Sequence, residues 1–328
     1  MGVRSAALLA PSAYLAPAAG TMNLVQKLLP PYLLGITDRS LPIALDTWQA
    51  AVDSSITPPT DTASSQLRAW DDPCCKKVAD QLLSTATDDV ERARILASLC
   101  TTSGAWLQAL PISSVGLRMD NDVIRVAVGL RLGANLCEPH TCPCGTSVDA
   151  RGIHGLACKR SAGRHPRHGL LNDIIWRAMQ RAQVPSAKEP VGLSRTDGKR
   201  PDGVSMIPWA RGRCVTWDVT SPDTLAPSHL SASAAQAGSA AAKAAIAKSQ
   251  KYNVLARTHI FVPLAFETLG VWGREATDFV ADLGRRMAAV TGDTRETSFL
   301  HQRLSVAIQR GNAIACRGSL PKDCSVNS

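Results

Sequence analysis

The chain has 328 residues, 45% of them hydrophobic, enough to build a real core and too apolar for a globally disordered protein. Its net charge of +9 is concentrated in one stretch: residues 159–213 hold 12 Lys/Arg against 4 Asp/Glu, and the rest of the chain 24 against 23. A basic block of this kind implies a polyanionic partner, because neutralising phosphates releases counterions; a solvated basic face is the plainer alternative.

Residues 1–65 are rich in Ala, Pro, Ser and Thr, and are expected to be a poorly ordered leader with one helix around Leu24–Leu29. The first twenty residues superficially resemble a signal peptide, but Pro11 and Pro17 interrupt the apolar stretch. No run approaches the ~20 apolar residues needed to cross a bilayer, so a soluble intracellular protein with no membrane partner is expected. Residues 66–133 read as a helical segment, with Asp88 and Glu91 spaced as a capping box. Residues 120–133, with a capping Asn121, form a buried helix or a strand; periodicity does not decide. A Cys/His window at 134–160 is followed by 161–328, which opens with a helix carrying Leu171, Ile175 and Ala178 on one face. Strands are expected at 184–193, 201–209 and 213–220. A long Ala-rich helix follows at 229–257, then a strand at 259–268 and helices at 275–290 and 296–308. The order is α/β with a small central sheet.

The ten Cys do not read as a disulfide framework. Cys137, His140, Cys142, Cys144, His154 and Cys158 place four Cys and two His within 22 residues. Thiolates and imidazoles favour tetrahedral zinc, which can fold a segment with little core of its own. The best four ligands are Cys142, Cys144, His154 and Cys158, with Cys137 or His140 as alternates for one of the first pair. No neighbouring carboxylate suggests hydrolysis there, so this zinc is expected to be structural; buried free thiols with unrelated histidines are the competing reading.

A second constellation is acidic. Asp202 opens one expected strand and Asp218 lies inside the next, RCVTWDVT. An ionised Asp in a half-buried strand is costly without a cation or partner. Asp173 and Glu189 are further acids nearby in sequence, and Lys248, Lys251 and Tyr252 share a face of the Ala-rich helix. Paired carboxylates holding Mg²⁺, with a Lys beside them, are what phosphodiester cleavage needs. Taken singly, Asp202 reads as a Pro-Asp-Gly turn, Asp218 as half of an ion pair, and the lysines as solvated.

In order along the chain, LRLG (130–133), the Cys/His cluster, RHPRH (164–168), KEP, GKRPDGV, WDVT and KSQKY resemble the C-terminal region of site-specific non-LTR retrotransposon proteins. There a zinc knuckle precedes a restriction-like endonuclease of the PD-(D/E)XK fold. The likeness spans about Gly104 to Ala313. It implies an α/β fold with a small mixed sheet, a structural zinc and a catalytic Mg²⁺. Asp202 and Asp218 would hold that metal, with Lys248 as the catalytic lysine, Tyr252 supporting it, and Glu189 and Asp173 completing the acidic shell. Arg164, His165, Arg167, His168, Lys199 and Arg200 would meet DNA, or RNA of the parent element, in the nucleus. Two departures stand out: the acid-x-Lys motif ends here in Asp218-Val-Thr220, and 15 residues separate the two acids. No polymerase motif is present, which suggests a truncated or split reading frame. The expected function is a DNA-nicking endonuclease. The alternatives are a binding module whose chemistry has decayed and a free-standing junction or repair nuclease.

Overall fold

Two tryptophans organise the first of two compact units, Met1–Ala86. The computed structural model describes residues 5–30, 32, 40–160, 164–193 and 200–321, with the side chains of Asp61, Arg164 and His165 left aside. Within the first unit, helices α1 (Ala6–Leu28), α2 (Ser40–Ala51) and α3 (Leu67–Ser84) surround Leu15, Ala16, Val52 and Cys74. Trp48 and Trp70 meet edge to face at 5.1 Å. Their indole nitrogens donate to the carbonyls of Trp70 and Ser64 at 2.6 and 2.7 Å. The buried rings thus keep a polar partner each, as buried indoles require. Helix α1 runs through Pro11 and Pro17, the residues read from sequence as interruptions. Each costs one backbone donor, and burial of Pro11 offsets part of that. The segment read as a poorly ordered leader therefore carries two α-helices among its described residues. The boundary between units falls at 86/87 and divides the expected 66–133 segment.

The second unit, Thr87–Ser328, begins with α4 (Asp89–Leu99), where the Asp88 carboxylate accepts the Glu91 amide at 2.7 Å. Residues 121–132 are a helix, α5 (Asn121–Leu132). Its cap is Asp120, which accepts the Val123 amide at 2.9 Å, so Asn121 is the first helical residue and not the cap. The Cys/His window follows as a two-stranded ribbon, β1 (His140–Thr141) and β2 (Ser147–Val148), with a single helical turn, α6 (His154–Ala157).

Helix α7 (Arg164–Arg181) leads into the main sheet of β3 (Ser186–Lys188), β4 (Gly203–Ser205), β5 (Val215–Thr220) and β6 (Ile260–Ala265), in the order β3-β4-β5-β6. The first two pairings are antiparallel and β5-β6 is parallel. The parallel pair needs a crossover, which α8 (Leu230–Ala235) and α9 (Ser239–Lys251) supply. One continuous Ala-rich helix was the expectation. It is broken at Gly238, whose φ of +83° is open to glycine and costly for other residues. Helices α10 (Arg274–Thr291) and α11 (Glu296–Arg317) complete the unit.

Strand alternation decides what faces what. Val215, Trp217 and Val219 of β5 join Leu171, Ile175 and Met179 of α7 and Leu283 of α10 in the main core. Thr216, Asp218 and Thr220 lie on the opposite side, in register with Phe261, Pro263 and Ala265 of β6. There Ala241 and Ala245 of α9 pack on Ala265, so Asp218 sits between the sheet and α9. Gly203 is a close-approach glycine: a Cβ there would lie 2.0 Å from the Trp217 ring. The Pro-Asp-Gly triplet therefore enters a strand instead of forming a free turn.

Candidate functional site

Helix α9 has a stripe of Ala241, Ala245 and Lys248, spaced i, i+4, i+7 and followed by Tyr252 at the C-terminal cap; the alanines and the tyrosine are buried. That places Lys248 on the sheet side of the helix, and its ammonium pairs with the carboxylate of Asp218, which is 4% exposed. Asp202 enters from the residue before β4. One of its oxygens accepts the Val219 amide at 2.5 Å and the other lies 3.2 Å from Nε2 of His168. Backbone bonds fix Asp202 as well: its amide donates to the Trp217 carbonyl at 2.9 Å, and its own carbonyl accepts the Glu189 amide at 3.1 Å.

The electrostatics follow from this crowding. Burial pushes the Asp218 carboxyl above its usual range and the nearby Asp202 adds to the rise, while Lys248 and the Tyr252 hydroxyl draw it down. The hydrogen bond to Asp202 raises the His168 imidazole above its usual value against the opposing effect of burial. The Tyr252 hydroxyl donates to the Arg200 carbonyl at 2.8 Å. Asp202, Asp218, Lys248, Tyr252 and His168 are thus brought together. His168 was expected on the nucleic-acid face, and its part in the carboxylate cluster was missed. The signal was its place one turn into a helix whose buried face begins at Arg167 and Leu171.

The remaining sequence candidates separate from this group. Asp173 pairs with Lys188. Glu189, held at φ +45°, reaches Arg200 at 3.5 Å with its side chain 66% exposed. Arg167 departs from the expected DNA contact. It is buried, donating to Oδ1 of Asn312 at 2.6 Å and to the Leu156 carbonyl at 3.3 Å. Asn312 in turn donates to the Thr268 carbonyl at 2.7 Å. Lys199 lies outside the described residues, as do the side chains of Arg164 and His165.

The Cys/His window brings its four best ligands together. The ligand atoms of Cys142, Cys144, His154 and Cys158 all lie within 4.8 Å of one another. The Cys142 and Cys158 sulfurs are 3.8 Å apart, and Nε2 of His154 is 3.2 Å from the Cys144 sulfur. Gly145, at φ +92°, turns the ribbon between the strands. Burial pushes the Cys142 thiol up to about 11, and hydrogen bonds from Thr146 lower Cys144 to about 6. Three sulfurs and one imidazole form a donor set able to hold a metal such as zinc. Neither alternate ligand belongs to it. The Cys137 sulfur lies 3.5 Å from the Asp149 carbonyl, and His140 spans the carbonyls of Glu138 and Ser319, both at 2.9 Å.

Among the described residues this is the one group of three or more metal-type ligands within mutual reach; Asp202 and Asp218 stand as a pair. No helix among the described residues is long and apolar enough to cross a membrane. Compared with known proteins, the chain matches no family model and no curated sequence.

Proposed function

We propose that the chain is a Mg²⁺-dependent DNA-nicking module of the PD-(D/E)XK type, derived from a retrotransposon protein, acting in the nucleus and carrying a structural zinc. The observation that supports it most is the meeting of Asp202, Asp218 and Lys248 between β4, β5 and α9. The element order around them favours the same reading: a helix, three antiparallel strands, a helical crossover and a parallel strand.

The residues suit a divalent cation. Two neighbouring carboxylates, one of them buried with raised proton affinity, are hard oxygen donors whose repulsion a cation relieves. Bound there, Mg²⁺ would supply Lewis-acid stabilisation of charge developing on a scissile phosphate. Asp202 and Asp218 would hold it. His168 and the Val219 amide fix the Asp202 carboxylate from two sides, so the ligand is set before any cation arrives. Lys248 neutralises phosphate charge and orients water, and the acid-x-Lys lysine missing after Asp218 is replaced from the helix. Tyr252 holds the Arg200 backbone, and the Arg200 guanidinium faces Glu189.

The test is nicking of a supercoiled plasmid in Mg²⁺, wild type beside Asp202→Ala. Nicking by wild type alone supports the nuclease and its metal pair; equal nicking by both sinks the assignment. A second reading, a nucleic-acid-binding module with lost chemistry, is favoured by the direct Lys248–Asp218 pair, in which the lysine itself balances the charge of the buried acid. It predicts no nicking by either protein together with salt-sensitive DNA binding by both.

A further inference from the structure

We infer that Glu267 is a positioning residue for Lys248: from the end of β6 it holds the N-terminus of α9, and so fixes where the lysine meets Asp218. The consequence for cleavage rests on the nuclease reading above; the anchoring itself does not.

The first turn of a helix leaves backbone amides without partners; in α9 the Ser239 amide reaches the Gln236 carbonyl at 3.4 Å, while the Ala241 amide is met from outside the helix. Its N-cap is Gly238, in the left-handed region, with no side chain to accept a bond. The missing acceptor comes from across the fold. Glu267 is fully buried, and its Oε1 accepts the Ala241 amide at 2.8 Å. Its Oε2 accepts the Thr224 hydroxyl at 3.0 Å. A carboxylate at this end of a helix is also favoured by the aligned peptide dipoles.

The carboxylate is itself held. The Glu267 amide donates to the Val271 carbonyl at 2.8 Å and its carbonyl accepts the Gly270 amide at 2.9 Å, closing a tight turn after β6. The Thr224 amide donates to the Thr268 hydroxyl at 3.1 Å, which in turn donates to Asp223 at 2.6 Å. A buried, fully hydrogen-bonded acid of this kind is far more expensive than a capping Ser or Asp on the helix would be. Burial indeed raises its carboxyl above the usual range.

What this anchor adds is axial register. Ala241 and Ala245 lie on Ala265 through methyl groups alone; such a seam sets how closely helix and sheet approach but resists sliding weakly. Polar contacts at the two ends resist it: Glu267 on Ala241 at one, and Tyr252 on the Arg200 carbonyl at the other. Ala241 and Lys248 are two turns apart on one face, about 10.5 Å along the axis. A shift at the N-terminus is therefore transmitted to the lysine.

The test uses the full chain with zinc bound, and two variants with opposite expectations. Glu267→Asp keeps the charge but withdraws the oxygens by one methylene; Glu267→Gln keeps the reach and the acceptor. Amide exchange across residues 239–246 and acylation of Lys248 by an amine-directed reagent, both read by mass spectrometry, need no catalysis. Expected for Glu267→Asp is at least ~10-fold faster exchange in α9 and faster labelling of Lys248, with α7, α10 and α11 unchanged. Expected for Glu267→Gln is exchange and labelling within about threefold of wild type. Wild-type behaviour of Glu267→Asp, or equal loosening in both variants, overturns the anchoring. Where the wild type nicks, Glu267→Asp should slow single-turnover nicking ~10–100-fold at unchanged DNA affinity. The same change in a Lys248→Ala background should cost little more. An equal loss in that background overturns the link to Lys248. Absence of nicking by wild type overturns the nuclease reading and leaves the exchange and labelling arms to decide Glu267.

Discussion

His168 stands 3.2 Å from one oxygen of Asp202 while the other oxygen accepts the amide of Val219 at 2.5 Å. Asp202 is thus a structural residue as well as a candidate ligand. Removing it leaves a strand amide and an imidazole without their acceptor. Asp202→Ala should cost about 1–3 kcal/mol of stability in urea unfolding, alongside the loss of nicking. His168→Ala should cost less, because the Val219 bond survives. A larger loss for His168→Ala than for Asp202→Ala would reverse this order.

Cobalt(II) tests the Cys/His site for metal binding independently of any nuclease activity. Three thiolates and one imidazole in a tetrahedral set give intense thiolate charge-transfer and visible bands. Cys144→Ser or Cys158→Ser should weaken the thiolate bands, and removal of the metal by chelator should expose the 137–158 segment to protease. Cys137→Ser and His140→Ala should leave the spectrum unchanged, because both side chains face backbone carbonyls elsewhere. A spectrum altered by Cys137→Ser would displace Cys142 or Cys144 from the ligand set.

Arg167 and Arg200 separate folding from binding. Arg167 is buried against Asn312 and Leu156, and its removal leaves two buried acceptors unpaired, at about 1–3 kcal/mol each. Arg167→Ala should therefore lower the urea midpoint strongly. The fraction that folds should show the wild-type salt dependence of DNA binding. Arg200→Ala should do the converse, leaving stability within about 0.5 kcal/mol and reducing the slope of log affinity against log salt by about 1.

Stability should also depend on pH through the buried acids. Burial raises Asp223 and Glu267 above the ordinary carboxylate range, so between that range and the raised values the folded state binds more protons than the unfolded one. The contribution is fully present below the ordinary carboxylate value and is lost as pH rises through the raised one. Glu267→Gln removes one such group, so its stability relative to wild type should improve as pH rises above the ordinary carboxylate range. A difference that stays flat, or falls with pH, would contradict the raised proton affinity.

Gly203→Ala tests the entry of Asp202 into the sheet. The added methyl meets the Trp217 ring at 2.0 Å, and Trp217 is pinned by its bond to Asn172 at 2.9 Å. Overpacking of this kind costs about 1–3 kcal/mol. Trp217 fluorescence should report the displaced ring at the same time.

Much of the second unit was legible because its signals are local. Periodicity marked α7, α10 and α11, β-branched runs marked β5 and β6, and ligand spacing marked the cysteine cluster. The failures have a common cause in long-range partners. The break in the Ala-rich helix depends on one glycine whose cap comes from Glu267, 26 residues or more away in sequence. The burial of Arg167 depends on Asn312, 145 residues on. Neither pairing leaves a trace in the sequence around either residue. The ambiguity at 120–133 came from Val and Leu fitting either state, which Asp120 resolves by capping. The first unit was underestimated because composition rich in Ala, Pro and Ser hid a core built on two tryptophans.

The seat of the Cys/His module has a consequence for the order in which the molecule can be made. Gly155, in the turn between His154 and Cys158, lies against the backbone of Ala315 and Cys316, where a Cβ would meet the Ala315 carbonyl at 2.7 Å. Leu156 shares its cluster with Ala313 and Cys316. These partners leave the ribosome roughly 160 residues after the module itself, so a contact of this span forms late. During synthesis the metal ligands are complete while the surface they dock on does not yet exist. Ion capture at the nascent ribbon can therefore precede closure of the unit, and helix α11 is the piece that locks the module in place.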